Sequence, residues 1–199
     1  MQEIKAAAAI KEAELIALKA QINPHFLFNA LNNIKALILI DQHLSRDAVS
    51  NLSELLRYSI RFSQHSTVKL ADEITVVKNY LQLESIHYDQ RLQYNFEIAS
   101  ETEDVPIPPM TIQVLVENAI KHGISLIENG GTITIKTEKK ERLKITVSNH
   151  GMVQSNDGTG TGLINVKERI KILYGREPDF TLTQNKNLVI AALTFPEGL

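Results

Sequence analysis

Apolar positions recur along this chain with two different periods, and the change of period divides it in two. Ile4, Ala8, Lys11, Leu15, Leu18 and Ile22 alternate spacings of four and three, the seam of a coiled coil two to three heptads long. So short a seam does not stand alone and needs a partner helix. Helical patterning continues to Ile40, with Leu27, Leu31, Ile34 and Ile38 as the apolar stripe and His25, Asn29 and Asn32 on a polar face. It breaks over 41–45 and resumes with Val49, Leu52, Leu56 and Ile60 on one side. Two helices with so wide an apolar face predict a hairpin that buries it against a second copy, a homodimer built on a four-helix bundle.

After a polar stretch at 63–69 a further helix is predicted over 72–87, and then the period shortens to two. Segments 93–99, 132–137, 143–148, 180–183 and 188–195 are rich in Thr, Ile and Val and read as strands. Between them lie two predicted helices, 110–122 and 162–174, the first approached through Pro106-Ile107-Pro108-Pro109, which enforces an extended backbone. The expected class is α+β, with a helical dimerisation module over 1–66 and an α/β sandwich over 67–199.

Composition removes whole classes of function. A net charge of −2 without any cluster of Lys and Arg gives no electrostatic case for direct nucleic-acid binding. The absence of cysteine excludes disulfides, thiolate nucleophiles and zinc–thiolate sites and fits the cytoplasm. No apolar stretch approaches the roughly 18 residues needed to span a bilayer, and the N-terminus lacks the basic, apolar, small-residue order of a signal peptide, so these residues are expected to be soluble.

Three segments carry candidate chemistry. Pro24 precedes His25 inside a helical pattern, where proline removes a hydrogen bond at a cost of roughly 3 kcal/mol and pushes Asn23 from helical angles, so a kink beside an outward-facing imidazole is expected. Alone, such a histidine reads as solvated or capping. Glu117-Asn118-Ala119-Ile120-Lys121-His122 gathers a carboxylate, an amide, an ammonium and an imidazole at one helix end before Gly123 stops it. The amide oxygen of Asn118 suits Mg²⁺ shared with phosphates, Lys121 suits phosphate and Glu117 suits a polarising base, although the segment alone also reads as an amphipathic helix with solvated charges. Gly158, Gly160 and Gly162 form a glycine-rich loop directly before a helix, where unpaired N–H groups favour phosphate. Its spacing is neither a P-loop nor a dinucleotide fingerprint, which points to another nucleotide fold.

Taken in order, Asn23-Pro24-His25-Phe26-Leu27-Phe28-Asn29, Leu56-Arg57-Tyr58-Ser59, Asn79-Tyr80-Leu81-x-Leu83-Glu84, Leu115 to Gly123 and Gly160-x-Gly162-Leu163-x-Asn165-Val166-x-x-Arg169 resemble the LytS/YehU-type sensor histidine kinases over about 18–196. The resemblance implies a dimerisation helix pair bearing the phosphoacceptor, joined to a Bergerat-type (GHKL) ATP-binding domain. It makes His25 the phosphoacceptor and Asn118 the Mg²⁺ ligand, with the loop 158–162 in the ATP lid. The implied ATP site takes in Lys121, His122, Asn149, Gly151, Gly158, Gly160, Gly162, Leu163, Asn165 and Arg169. The implied activity is ATP-dependent autophosphorylation on His25 and transfer to an aspartate of a response regulator, for which the resemblance suggests the LytTR type. The resemblance places such a chain in the cytoplasmic portion of a bacterial inner-membrane protein, tied to the membrane through an N-terminal sensory region.

Several departures from the family pattern shape the expected mechanism. Phe26 follows His25 where many histidine kinases carry an acid, which leaves Glu117 as the candidate base and Asn29 as the residue to orient the imidazole. Asn149, in Asn149-His150-Gly151, stands where related domains carry an Asp that accepts the adenine amino group; loss of charge assistance costs on the order of 1 kcal/mol, about fivefold in affinity. Lys186-Asn187 replaces a closing Gly-Thr, and His87 stands where relatives usually have Arg; His43, His65, His87 and His150 are expected at the surface. Asn149 and the missing adjacent acid favour the alternative of a non-catalytic ATP-binding signalling dimer, a pseudokinase. An ATPase or serine kinase of the same superfamily would need no His25 module.

Overall fold

The computed structural model describes residues 24–62, 65–152 and 161–197. The predicted seam at Ile4 to Ile22, the backbone on the N-terminal side of Pro24, and Gly158 and Gly160 lie outside the described residues. The chain divides into two compact units, Met1–Gln64 and His65–Leu199.

In the first unit α1 (Pro24–Ile40) and α2 (Gln42–Phe62) pack on one another. The predicted break over 41–45 shrinks to Asp41, whose Oδ1 accepts from the backbone N–H groups of His43 and Leu44 at 3.0 Å each. An N-cap satisfies two of the donors that a helix start leaves open, so α2 begins at once. The faces also differ from the predicted stripes. The hairpin buries Phe26, Ala30 and Ile34 against Ala48, Leu52, Leu55 and Tyr58, while Leu31, Ile38, Val49 and Ile60 stay between 48% and 59% exposed. The helices are apolar on more than one side, and a single hairpin uses only one.

The second unit is a mixed five-stranded sheet in the order β2-β4-β5-β7-β6. Its strands are β2 (Leu92–Ile98), β4 (Gly131–Lys139), β5 (Leu143–His150), β6 (Asp179–Asn185) and β7 (Leu188–Thr194). β2 and β4 run parallel and the other neighbours antiparallel. Helices α3 (Leu70–Tyr88) and α4 (Thr111–His122) pack on β2 and β5 respectively, and α5 (Thr161–Tyr174) packs on α4. Period-two alternation points Leu143, Ile145 and Val147 into the core, and the same alternation carries Asn149 inward, 5% exposed, at the end of the row.

Two features fix α4. The short strands β1 (Val68–Lys69) and β3 (Pro106–Ile107) pair antiparallel and anchor the chain before α3 to the proline segment before α4. Glu73 of α3 is fully buried and its carboxylate accepts from the backbone N–H groups of Met110 at 2.9 Å and of Ile112 and Gln113 at 3.2 Å. A carboxylate at a helix N-terminus satisfies orphan donors and favours the dipole. It also holds Met110 in the left-handed region, φ 66°, which a side chain adopts only at a cost.

Candidate functional site

Helix α4 ends where β5 ends, and the two ends form the wall of a cleft of about 540 Å³. Gly123 stops α4, and its α-carbon lies under the Asn149 amide: a Cβ there would collide with Asn149 Nδ2 and stand 2.5 Å from the Ala119 carbonyl. Only glycine permits this approach. Gly151 closes in from the other side, so that a Cβ on it would be 3.1 Å from the Gly123 α-carbon. Asn149 Nδ2 donates to the His150 carbonyl at 2.8 Å and is the atom of this side chain that faces Gly123 and Gly151. Gly123, Gly151 and His122 line the cleft, with Leu126, Ile127 and Met152 as its apolar wall. Leu126 and Met152 are 58% and 69% exposed, which leaves a greasy rim beside a buried amide. Such a combination suits a flat heterocycle with a polar edge.

The other end of the strand pair closes the cleft. Lys186 and Asn187 form the two-residue turn between β6 and β7, with Lys186 at φ 53°, and the Asn187 carbonyl accepts from the Gly151 N–H at 2.8 Å. The last strand is therefore reached by a tight hairpin. His150, expected only at the surface, is exposed but lines the cleft; its Nδ1 accepts from the Thr132 N–H at 3.1 Å.

A second polar group lies between α3 and α4. Gln113 Nε2 donates to Glu117 Oε1 at 2.8 Å, and burial raises the proton affinity of Glu117 above the usual carboxylate range. Glu84, hydrogen-bonded by Tyr80, is pushed up to about 7 by burial, with Glu117 adding to the effect. Burial likewise pushes the Tyr80 phenol well up.

Comparison with known proteins bears on this arrangement. A sequence profile of the histidine kinase family matches residues 13–92. Sensor protein LytS of Staphylococcus saprophyticus is 34% identical over 95% of this chain and 34% of its own length. The sensor histidine kinase/phosphatase LytS of Staphylococcus aureus is 34% identical over 84% of this chain and 31% of its own length. The chain belongs to the LytS-type sensor histidine kinases. It spans about a third of the length of these curated relatives. The histidine kinase domain of a blue-light activated histidine kinase from Erythrobacter litoralis superposes with a TM-score of 0.50 at 17% identity, covering 93% of this chain and 94% of that one, a likeness of fold.

Of the residues that the LytS-type motifs single out, His122 and Gly151 line the cleft and Asn149 is buried behind Gly123 and Gly151, with Asn118 and Lys121 on the last turns of α4, half-buried and exposed respectively. Glu117 accepts from Gln113 on its own helix and raises the proton affinity of Glu84 on α3. Gly162 lies against Val114 of α4, a Cβ on it falling 3.1 Å from Val114 Cγ1, and Leu163 is a core residue, 3% exposed. Arg169 Nη1 donates to the Pro109 carbonyl at 3.0 Å and its Nε to the Asn165 carbonyl at 3.3 Å, with Asn165 itself exposed. These residues hold α5 against α4 and the proline segment. His25 is the second residue of α1, and Asn29, one turn on, is half-buried. Sequence reasoning missed the apolar cleft wall, Glu73 and Gln113; the i, i+4 spacing of Tyr80 and Glu84 inside a quoted motif was the one available signal for the cluster between α3 and α4.

Proposed function

We propose that this chain is the kinase core of a two-component sensor, which binds Mg²⁺-ATP in the cleft at Gly123 and Gly151, phosphorylates His25 and passes the phosphoryl group to an aspartate of a response regulator. The observation that carries the reading is the meeting of Gly123, Asn149 and Gly151, residues from distant motifs that come together at a cleft of about 540 Å³, with the Asn149 amide buried behind the two glycines. Asn149 oxygen accepts the adenine amino group, and the apolar rim covers the ring. Lys121, exposed at the end of α4, meets phosphate as a point charge.

The donor set fits a sparsely held Mg²⁺. Asn118 supplies one hard amide oxygen, and among the described residues no group of three or more His, Cys, Asp or Glu could hold a metal by itself, so phosphate oxygens and waters complete the sphere. When bound, the ion neutralises phosphate charge during transfer. Phosphoryl transfer needs mainly positioning, and the residues that position are Asn29 at the imidazole and Glu117, whose raised proton affinity suits it to take the imidazole proton. Leu163, Asn165 and Arg169 contribute by holding α5, and Gly158, Gly160 and Gly162 belong to the loop over the phosphates.

The partners follow from the same reading. Leu31, Ile38, Val49 and Ile60 are exposed apolar positions on the hairpin and support a homodimeric four-helix bundle. A response regulator, of LytTR type by resemblance, takes the phosphoryl group. No described helix is long and apolar enough to cross a membrane, and membrane attachment is assigned to a sensory region N-terminal to this segment, in a bacterial inner-membrane protein whose cytoplasmic portion this is.

A second reading, a signalling dimer that binds ATP without transfer, is favoured by Phe26, a core residue 7% exposed where an acid could stand, and by the uncharged Asn149. Calorimetric titration with ATP and Mg²⁺, beside Asn149→Ala, separates the outcomes. Binding that Asn149→Ala weakens about tenfold is expected on either reading. Phosphohistidine then selects the kinase, its absence selects the signalling dimer, and no nucleotide binding defeats both.

A further inference from the structure

His150 ends β5, and three hydrogen bonds meet around it. Its Nδ1 accepts from the Thr132 N–H at 3.1 Å, its carbonyl accepts from Asn149 Nδ2 at 2.8 Å, and the next N–H along the chain, that of Gly151, donates to the Asn187 carbonyl at 2.8 Å. The first two amount to an exchange of acceptors. β4 and β5 run antiparallel with Ile133 opposite Asn149, and the same register carried one residue on sets Thr132 opposite His150. An N–H directed across an antiparallel pair finds its acceptor in the carbonyl of the opposite residue. Here the ladder stops at Ile133 and Asn149, and the imidazole stands where that carbonyl would. The His150 carbonyl is thereby released to the Asn149 amide, which is buried and needs an acceptor for its hydrogens.

Room for the ring comes from Gly131, the first residue of β4. A Cβ there would stand 2.7 Å from His150 Cβ, 3.1 Å from its Cγ and 3.2 Å from its Nδ1, so a side chain at this position would push the imidazole off the Thr132 N–H. A ring nitrogen that accepts carries no hydrogen, which places the ring's hydrogen on Nε2 in this arrangement.

We propose that His150 is the positioning residue for Asn149: by giving Nδ1 to Thr132 it turns its own carbonyl to Asn149 Nδ2, and so holds the Asn149 amide in the one orientation that tells adenine from a purine without the amino group. This rests on Asn149 as the residue that meets the edge of the base. A side-chain amide offers a donor on one side and an acceptor on the other, and it discriminates between ligands only while it is kept from turning over. His150 acts through Asn149, and Gly131 acts through His150.

The test compares His150→Asn, whose Oδ1 is an acceptor at the place of Nδ1, with His150→Leu, which has none, and with Gly131→Ala, which keeps the imidazole but crowds its seat. Nitrogen NMR of the labelled whole chain locates the hydrogen on the His150 ring and follows solvent exchange of the Asn149 side-chain amide. Calorimetry with Mg²⁺ compares ATP with purine riboside triphosphate, which lacks the amino group. The ring hydrogen is expected on Nε2, and exchange of the Asn149 amide should be about tenfold faster in His150→Leu and Gly131→Ala than in the wild type and His150→Asn. ATP should be preferred about fivefold by the wild type and by His150→Asn, and less than about twofold by the other two. A ring hydrogen on Nδ1, Asn149 exchange alike in all four chains, a His150→Leu preference equal to that of the wild type, or a His150→Asn that behaves as His150→Leu would overturn the proposal. A wild-type chain that binds the two nucleotides equally, or neither, would defeat the reading of Asn149 as the adenine contact instead, and the NMR signals would still decide whether His150 holds its amide.

Discussion

At the scale of single residues, buried polar side chains do most to define this molecule. Glu73 is the clearest case, because three backbone N–H groups at the start of α4 have their partner in its carboxylate. Glu73→Ala leaves those donors buried and unpaired, each costing about 1–3 kcal/mol, so urea denaturation of the variant should show a loss of about 3 kcal/mol or more. Asn149 yields a less intuitive expectation. Asn149→Asp would add charge assistance to the proposed contact with adenine, but replaces the N–H that donates to the His150 carbonyl with an oxygen facing an oxygen. The variant should be less stable by about 1–2 kcal/mol in urea, with no gain in ATP affinity by calorimetry. From sequence, Asn149 was legible as a substituted position, whereas its bond to His150 was not, since a neighbouring backbone carbonyl has no signature in residue type. Glu73 was hidden for the same reason: in sequence it is one more charged position on an amphipathic helix.

At the scale of elements, the cleft depends on how closely α4, β5 and the β6–β7 turn approach one another. Gly123→Ala places a methyl group into Asn149 and the Ala119 carbonyl. Overpacking of this kind costs about 1–3 kcal/mol, and because the strain falls on the buried Asn149 amide beside the cleft, ATP binding measured by calorimetry should weaken with it. The helices and strands of this unit were legible because long periodic segments dominate it: α4, predicted over 110–122, is Thr111–His122, and α5, predicted over 162–174, is Thr161–Tyr174. What escaped were elements too short to show a period. The β1–β3 ladder has two residues a side, one of them proline, and Asp41 alone separates α1 from α2. The chosen face of the hairpin also escaped, because Phe26, Ala30 and Ile34 compete with Leu27, Leu31 and Ile38 on helices apolar over more than one side.

At the scale of the whole molecule, that surplus of apolar surface becomes informative. Leu31, Ile38, Val49 and Ile60 remain open in the single chain, and a four-helix bundle of two copies would cover them. The pair Ile38→Lys and Ile60→Lys changes only exposed positions, so the hairpin should still fold while sedimentation shifts from dimer to monomer; a variant that stays dimeric would refute the bundle. The proposed chemistry joins the two units functionally, since one carries His25 and the other the cleft proposed to hold ATP. The measurement that tests this most directly is incubation with Mg²⁺ and γ-labelled ATP, followed by acid and alkali treatment, with His25→Gln alongside. The account predicts protein-bound label that survives alkali, is lost in acid and is absent from His25→Gln. Label that persists in His25→Gln, or none at all despite bound ATP, would contradict it.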